Sequence, residues 1–228
     1  MTKAIVSYDG TLTDEDALAF GRVLSGAGMD LVLAYVRHTT EDEPHREQLE
    51  EHEAHALLER GARWLDDVSV EQRVVVSGST AEGLARLAAE EDAELIVFGS
   101  DYRTPAGHVV PQKSTQTLLE GGRTAVAIAP ASYREIHDES FTRVGLLAPA
   151  GDDAALDTAR DLAESLGAQV SRDEPRVDLL VVGSRPEAPM GQVMLSAQAQ
   201  RQLESATSPV LVVPRAVSLR FPVALALA

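Results

Sequence analysis

The chain contains the same stretch twice. Gly99 to Leu119 reads GSDYRTPAGHVVPQKSTQTLL, and 84 residues later Gly183 to Leu203 reads GSRPEAPMGQVMLSAQAQRQL. Without a gap, Leu95, Val97, Gly99, Ser100, Pro105 and Gly107 fall on Leu179, Val181, Gly183, Ser184, Pro189 and Gly191. Val109, Leu119, Val126 and Pro130 likewise fall on Val193, Leu203, Val210 and Pro214. Each copy is preceded by an apolar run (Glu94 to Phe98, Val177 to Val182) and followed by another (Ala125 to Ala129, Val210 to Val213). Apolar run, Gly/Pro loop, short helix and second apolar run describe part of an α/β unit. At such a loop, free N–H groups and the helix dipole point outward and suit a phosphate. A repeat of this kind requires two related units.

The flanking sequence completes them. Lys3 to Tyr8 reads as a buried strand ended by Asp9-Gly10. Thr13 or Asp14 then caps a helix to about Ala27, closed by Gly26 and Gly28. Leu31 to Val36 is the second strand, Glu41 to Leu65 one long amphipathic helix, and Arg73 to Ser77 the third strand. Gly78-Ser79-Thr80 opens another helix, Glu94 to Phe98 is the fourth strand, and a helix over roughly 112–121 leads to the fifth, Ala125 to Ala129. Strands alternating with helices, joined by right-handed crossovers, give a doubly wound parallel sheet. Ser132 to Ser140 reads as a linker, after which Thr142 to Ala148 restarts the pattern and Asp152 caps a helix to Leu166. The second half runs almost directly into its Val177 to Val182 strand, where the first half spends about 60 residues. It has therefore lost the long helix, the third strand and the third helix, keeping at most a stub at 168–170. The expected division is a complete unit over 1–131, a shortened one over 141–216 and an apolar tail over 217–228.

Composition narrows the partners. The net charge of −16 disfavours nucleic acid and anionic membrane surfaces, and the absence of cysteine excludes disulfides and thiolate metal sites. Met1-Thr-Lys leads straight into a strand pattern, and no apolar run is long enough to span a bilayer, so a cytoplasmic protein is expected.

The chain from Lys3 to Arg215 resembles the universal stress protein family in its tandem form. The carriers are a strand ending in Tyr8-Asp9-Gly10, strands followed by Gly99-Ser100 and Gly183-Ser184, the loop and helix after each, and a closing valine strand with Pro214. The resemblance implies two Rossmann-like, adenine nucleotide alpha hydrolase-like α/β units, the first with strand order 3-2-1-4-5. It also implies pairing of subunits through the fifth, edge strand; from the repeat, Ala125 to Ala129 and Val210 to Val213 are expected to pair within this one chain, burying both edges. ATP-binding members carry Gly, two residues, Gly, nine residues, then Gly-Ser/Thr. Here the first copy has Gly99, Tyr102, Gln112 and Lys113 at those positions, and the second has Gly183, Pro186, Ser196 and Ala197. Tyr102 is expected to fill phosphate space, and Gln112 to bring a Cβ where the family's glycine takes a positive φ. By resemblance, Asp9 and Val36 sit where adenine is held, with Gly99, Lys113 and Ser114 toward the phosphates. In the second copy the carboxylate is gone, the strand ending Ala148-Pro149-Ala150.

Other motifs are weaker. Gly107 to Ser114 is a Walker A pattern lacking its second glycine, after the fourth strand instead of the first. Ser7-Tyr8-Asp9-Gly10-Thr11-Leu12 resembles the start of an aspartyl-phosphate phosphatase, but Ser7 stands where the nucleophile belongs. His52 and His55 share a helix face, near His45, yet an exposed helix lacks the enclosure of a metal site. Arg103, His108 and Lys113 offer a small anion site on the loop, and Trp64 reads as core or interface. The leading expectation is a non-enzymatic stress-response or regulatory protein and a homodimer, with no metal and no cofactor. An adenine-nucleotide switch or weak ATPase, taking ATP or AMP in the first unit, is the alternative, ahead of a metal-dependent phosphatase.

Overall fold

A computed structural model describes residues 2–38, 44–136, 140–150, 152–172 and 176–222, with side chains undescribed at 44–50 and 136. Its frame is one nine-stranded sheet in the order β3-β2-β1-β4-β5-β9-β8-β6-β7. The first half supplies β1 (Lys3–Ser7), β2 (Asp30–His38), β3 (Glu71–Ser77), β4 (Ala93–Gly99) and β5 (Ala125–Ala129), all parallel, in the expected order 3-2-1-4-5. The second supplies β6 (Arg143–Leu147), β7 (Gln169–Ser171), β8 (Leu179–Gly183) and β9 (Val210–Val213), also parallel to one another.

The halves join by an antiparallel ladder between β5 and β9, with Val126 opposite Val212, Ala127 opposite Leu211 and Ile128 opposite Val210. Ala127 and Leu211 are repeat equivalents, 84 positions apart. A pseudo-two-fold axis therefore passes through that pair, and contacts between the halves recur around it. Val109 N–H donates to Ala206 O at 3.1 Å, and its equivalent Val193 N–H donates to Gly122 O at 2.8 Å.

Every residue of β5 and β9 is buried, as expected of strands covered on both faces. One face carries α1 (Leu12–Gly26), α2 (Pro44–Trp64) and α6 (Asp153–Ser165), which pack Leu18, Phe20, Leu58 and Leu162 into a single cluster. The other carries α3 (Thr80–Glu90), α4 (Lys113–Leu119) and α7 (Ala197–Glu204), which pack Leu84, Leu118 and Leu203. Ser79 caps α3 by accepting from Glu82 N–H, and Asp152 caps α6 by accepting from Ala155 N–H. Helix α1 begins at Leu12, ahead of the expected start. Its N-cap Thr11 makes no side-chain cap bond; the Thr11 hydroxyl pairs with that of Thr13, and Asp14 turns back to accept from Asp9 N–H.

Two segments differ from their sequence reading. The expected linker contains a short helix, α5 (Tyr133–Ile136), tied to α1: Asp16 accepts from Ser132 N–H at 2.8 Å and from Arg134 N–H at 3.0 Å. The described part of the tail is a strap. Leu219 and Phe221 are buried, Leu219 N–H donates to Thr158 on α6, and Ser165 donates to Phe221 O. Its far end crosses to the first half, where Pro222 lies against Gly28. Residues 223–228 lie outside the described residues.

Gly99 and Gly183 end equivalent strands but face different constraints. A Cβ on Gly99 would stand 1.8 Å from the Thr13 carbonyl oxygen, which is backbone. On Gly183 the nearest atom is the Asp152 carboxylate at 2.3 Å, the end of a side chain that must shift against its cap bond to Ala155 N–H, with the Ala148 and Ala155 Cβ atoms at 3.0 and 3.1 Å. Gly99→Ala is therefore expected to cost about 1–3 kcal/mol or more in urea unfolding, and Gly183→Ala less than about 1.5 kcal/mol. Equal costs would show that the two strand ends are equally constrained.

Candidate functional site

The phosphate-type loops follow β4 and β8, and their backbones repeat bond for bond. Asp101 N–H donates to Val110 O and Arg185 N–H to Met194 O, both at 2.8 Å. Gly107 N–H reaches Ala131 O as Gly191 N–H reaches Arg215 O. Both glycines have positive φ, 78° and 75°, which a tight turn requires here. Inside each loop sits a buried serine. Ser100 Oγ donates to Ala129 O at 2.7 Å and accepts from Val110 N–H at 3.3 Å. Ser184 Oγ does the same with Val213 O and Met194 N–H, at 2.8 and 3.3 Å. The Gly-Ser hydroxyl thus pins the loop to the neighbouring strand in both halves.

The first loop is largely closed on itself. Asp101, Arg103, Thr104, Gly107, His108, Val109 and Val110 all donate their backbone N–H to acceptors within the protein. Gln112 folds its side chain back over the end of β4, where Nε2 donates to Gly99 O at 3.2 Å and Ser100 O at 3.3 Å. It does so at φ −66°, so no left-handed backbone is needed, contrary to the expectation from the motif. Tyr102 also departs from expectation. It is 71% exposed, with the Arg103 guanidinium 4.9 Å from its ring centre and Arg103 Nε donating to its hydroxyl. Tyr102 therefore stays outside the loop, and it is Gln112 that lies over the end of β4. This also draws Arg103 away from any anion site with Lys113. Lys113 is exposed and Ser114 half-buried at the first turn of α4.

Asp9 and Val36 part company. Asp9 is exposed and lines a cavity of about 390 Å³ with Tyr35, Arg37, His38, Glu53 and Leu57, under α2. Val36 is 7% exposed and its side chain lies in the opposite core, beside α3. The alternation of β2 puts Tyr35 and Arg37 on the cavity side. Five strands away, the matching end of the second half has Asp152, Asp153 and Asp157 around a cavity of about 440 Å³. Arg215 lines the same cavity, so three carboxylates stand against one guanidinium, a balance that still disfavours an anionic phosphate. His52 and His55 are exposed, the side chain of His45 lies outside the described residues, and no metal-holding cluster occurs among the described residues. Trp64 packs under Arg22, whose guanidinium is 4.8 Å from its ring centre.

The sequence reading missed Asp14. Its carboxylate is 5% exposed and accepts from Asp9 N–H at 2.7 Å. Burial, and then the neighbouring Asp9 side chain, push its pKa up to about 8. The only signal available was Asp9-x₄-Asp14, which a helix-cap reading absorbs.

Comparison with known proteins follows this geometry. The sequence pattern of the universal stress protein family matches residues 1–130. A universal stress protein from Archaeoglobus fulgidus DSM 4304 superimposes with a TM-score of 0.69 at 14% identity, over 93% of this chain and 98% of that one. A functionally unknown protein from Pseudomonas aeruginosa PAO1 gives 0.65 at 14% identity, over 94% and 93%. Both likenesses speak to the fold. No curated protein sequence matches the chain. Among the described residues, no helix is long and apolar enough to cross a membrane.

The raised pKa of Asp14 has a definite sign in stability. Its folded value of about 8 lies above its ordinary 3.8, so the folded state holds a proton that the unfolded state releases. That contribution is full below pH ~4 and is lost as pH rises to ~8. Asp14→Asn is expected to remove the decline. Its urea midpoint should match or exceed that of the parent at pH 8.5, with a smaller difference at pH 5. A parallel loss in both proteins across that range would show that Asp14 does not titrate there.

Proposed function

Because the chain belongs to the universal stress protein family, we propose that it is a non-enzymatic stress-response or regulatory protein that works by binding partners and does not turn over a nucleotide. The observation that supports this reading is the Gln112 side chain lying on the Gly99 and Ser100 carbonyls. With seven amides of the loop between Asp101 and Val110 already bonded inside the protein, a triphosphate entering that loop would have to break hydrogen bonds to gain others. Such an exchange yields little net free energy. The second loop has Pro186 and Ser196 in place of glycines, and three aspartates stand near it.

The competing reading is an adenine-nucleotide switch in the first half. Its support is the Asp9 cavity under α2 and the exposed start of α4 at Lys113 and Ser114. Titration calorimetry with ATP and magnesium separates the two. The non-enzymatic reading expects no saturable heat up to about 1 mM, where binding would be worth roughly 4 kcal/mol. Saturable micromolar binding that Asp9→Ala abolishes would establish the switch instead.

The same reading includes self-association. The trimmed second half ends the sheet at β7, only three residues long, and has no counterpart of the long α2 among the described residues, which leaves a surface for a second copy to cover. Light scattering at micromolar concentration should give twice the 24.4 kDa chain mass. A monomeric mass would remove this part of the proposal.

A further inference from the structure

The two halves enclose a groove on the face away from α1, between α4 and α7, of about 520 Å³. Its walls come in pairs related by the repeat, Leu119 with Leu203 and Glu120 with Glu204. One backbone contact of that wall carries unlike side chains in the two halves. Asp101 N–H donates to Val110 O in the first half, and Arg185 N–H to Met194 O in the second, both at 2.8 Å. The backbone is repeated, but a carboxylate and a valine in one half are a guanidinium and a methionine in the other.

The two unlike side chains meet. Arg185 Nη2 donates to Met194 Sδ at 3.7 Å. It is aimed at a thioether sulfur, a weak acceptor, although Glu120 and Glu204 line the same groove. Met194 is fixed in the wall by its backbone. Its N–H donates to Ser184 Oγ at 3.3 Å, and it pairs with Glu120 across an isolated antiparallel bridge. Its side chain is half-buried and lines the groove, within reach of a small molecule entering there.

We propose that Met194 is an oxidation site for hydrogen peroxide and small hydroperoxides, and that Arg185 receives the oxygen of the resulting sulfoxide. The sulfur lone pair attacks one peroxide oxygen, so that an S–O bond forms and the O–O bond breaks. Sulfur loses two electrons to the peroxide. The proton on the transferred oxygen passes to the departing one, which leaves as water, or as an alcohol from a hydroperoxide. The oxidant is uncharged, so the net charge of −16 does not repel it. Rotation about the flexible methionine side chain turns the new oxygen to the guanidinium. A weak contact to sulfur becomes a charge-assisted hydrogen bond. Methionine sulfoxide ordinarily disrupts apolar surroundings, because it makes a greasy side chain polar. Here the donor already stands beside the sulfur. In the first half Val110 has no sulfur to oxidise and Asp101 has no N–H to offer from its carboxylate, so the mark falls on one half alone. The groove then has two chemical states, thioether and sulfoxide, which peroxide and methionine sulfoxide reductases interconvert.

Peroxide treatment of the full chain, read by peptide mass mapping and urea unfolding, tests this. At a dose that leaves the buried Met29 unmodified, Met194 should gain one oxygen. Midpoints are compared in a Met190→Leu background, because Met190 is 77% exposed and open to the same oxidant. There the oxidised and unoxidised chains should unfold within roughly 0.1 M urea of each other. With Arg185→Leu added, oxidation should lower the midpoint by roughly 0.3 M or more. Each variant is compared with its own unoxidised form, so the effect of the substitution itself cancels. Met194 remaining unmodified at that dose overturns the proposal. So does a change in midpoint that is the same with and without Arg185.

Discussion

Three residue pairs between β5 and β9 hold this architecture together. Because Ala127 faces its own repeat equivalent, Leu211, the antiparallel ladder fixes the axis that relates the halves. Each fifth strand would otherwise be an exposed apolar edge, the kind of surface that invites aggregation. Joined, they leave both strands fully buried. The contacts that follow are paired by necessity: Val109 with Ala206 and Val193 with Gly122 on the backbone, and the α4–α7 groove above them. Two ordinary α/β units have become one sheet with one core on each side.

The shortened half shows what happens when a unit keeps its strands and loses its covering. In the first half α3 closes the sheet over β1 to β4. In the second, Val177 folds over Gly145, leaving no room for a Cβ there, and among the described residues α7 is the second half's helix on that face. On the opposite face the strap 217–222 takes up the outer side of α6 through Thr158, Asp161 and Ser165. It is also bonded to Thr2 at the start of the chain. A loss of roughly 60 residues is thus offset by side chains already present in the half and by a tail that reaches back to the first.

The sequence made strand order, the fifth-strand pairing and the shortened second half legible, because each follows from a repeat and from apolar period. It did not show where individual side chains of the loop would go. Tyr102 looked like a plug because a ring replaces a glycine; in the fold its backbone turns the ring outward to stack with Arg103. Gln112 looked like a backbone problem and is instead a side-chain clasp. Val36 belonged to the expected site by position along β2, yet strand alternation sends its side chain to the other core. Asp14 looked like a helix cap and turns back to Asp9. These misses share a cause: spacing along the chain fixes which residues arrive at a place, whereas rotamer and face depend on neighbours from distant segments. The segment after β5 reads as linker for the same reason, since Asp16, which anchors Arg134, lies 118 residues earlier.

The repeat also separates framework from function within one chain. What is identical in both halves serves what both halves need. Gly99 and Gly183 let a helix start approach a strand end, and Ser100 and Ser184 tie each loop to its neighbouring strand. A Gly-Ser pair of this kind is therefore evidence of fold before it is evidence of a phosphate. Chemistry has to be sought where equivalent positions differ. Gln112 reaches back to β4, whereas its counterpart Ser196 simply caps α7 through Ala199 N–H. Asp101 has Arg185 as its counterpart, and that one change puts a guanidinium on the lining of the α4–α7 groove. Duplication supplies a symmetric groove at no cost in new backbone, and a single unlike residue is enough to give such a groove a direction.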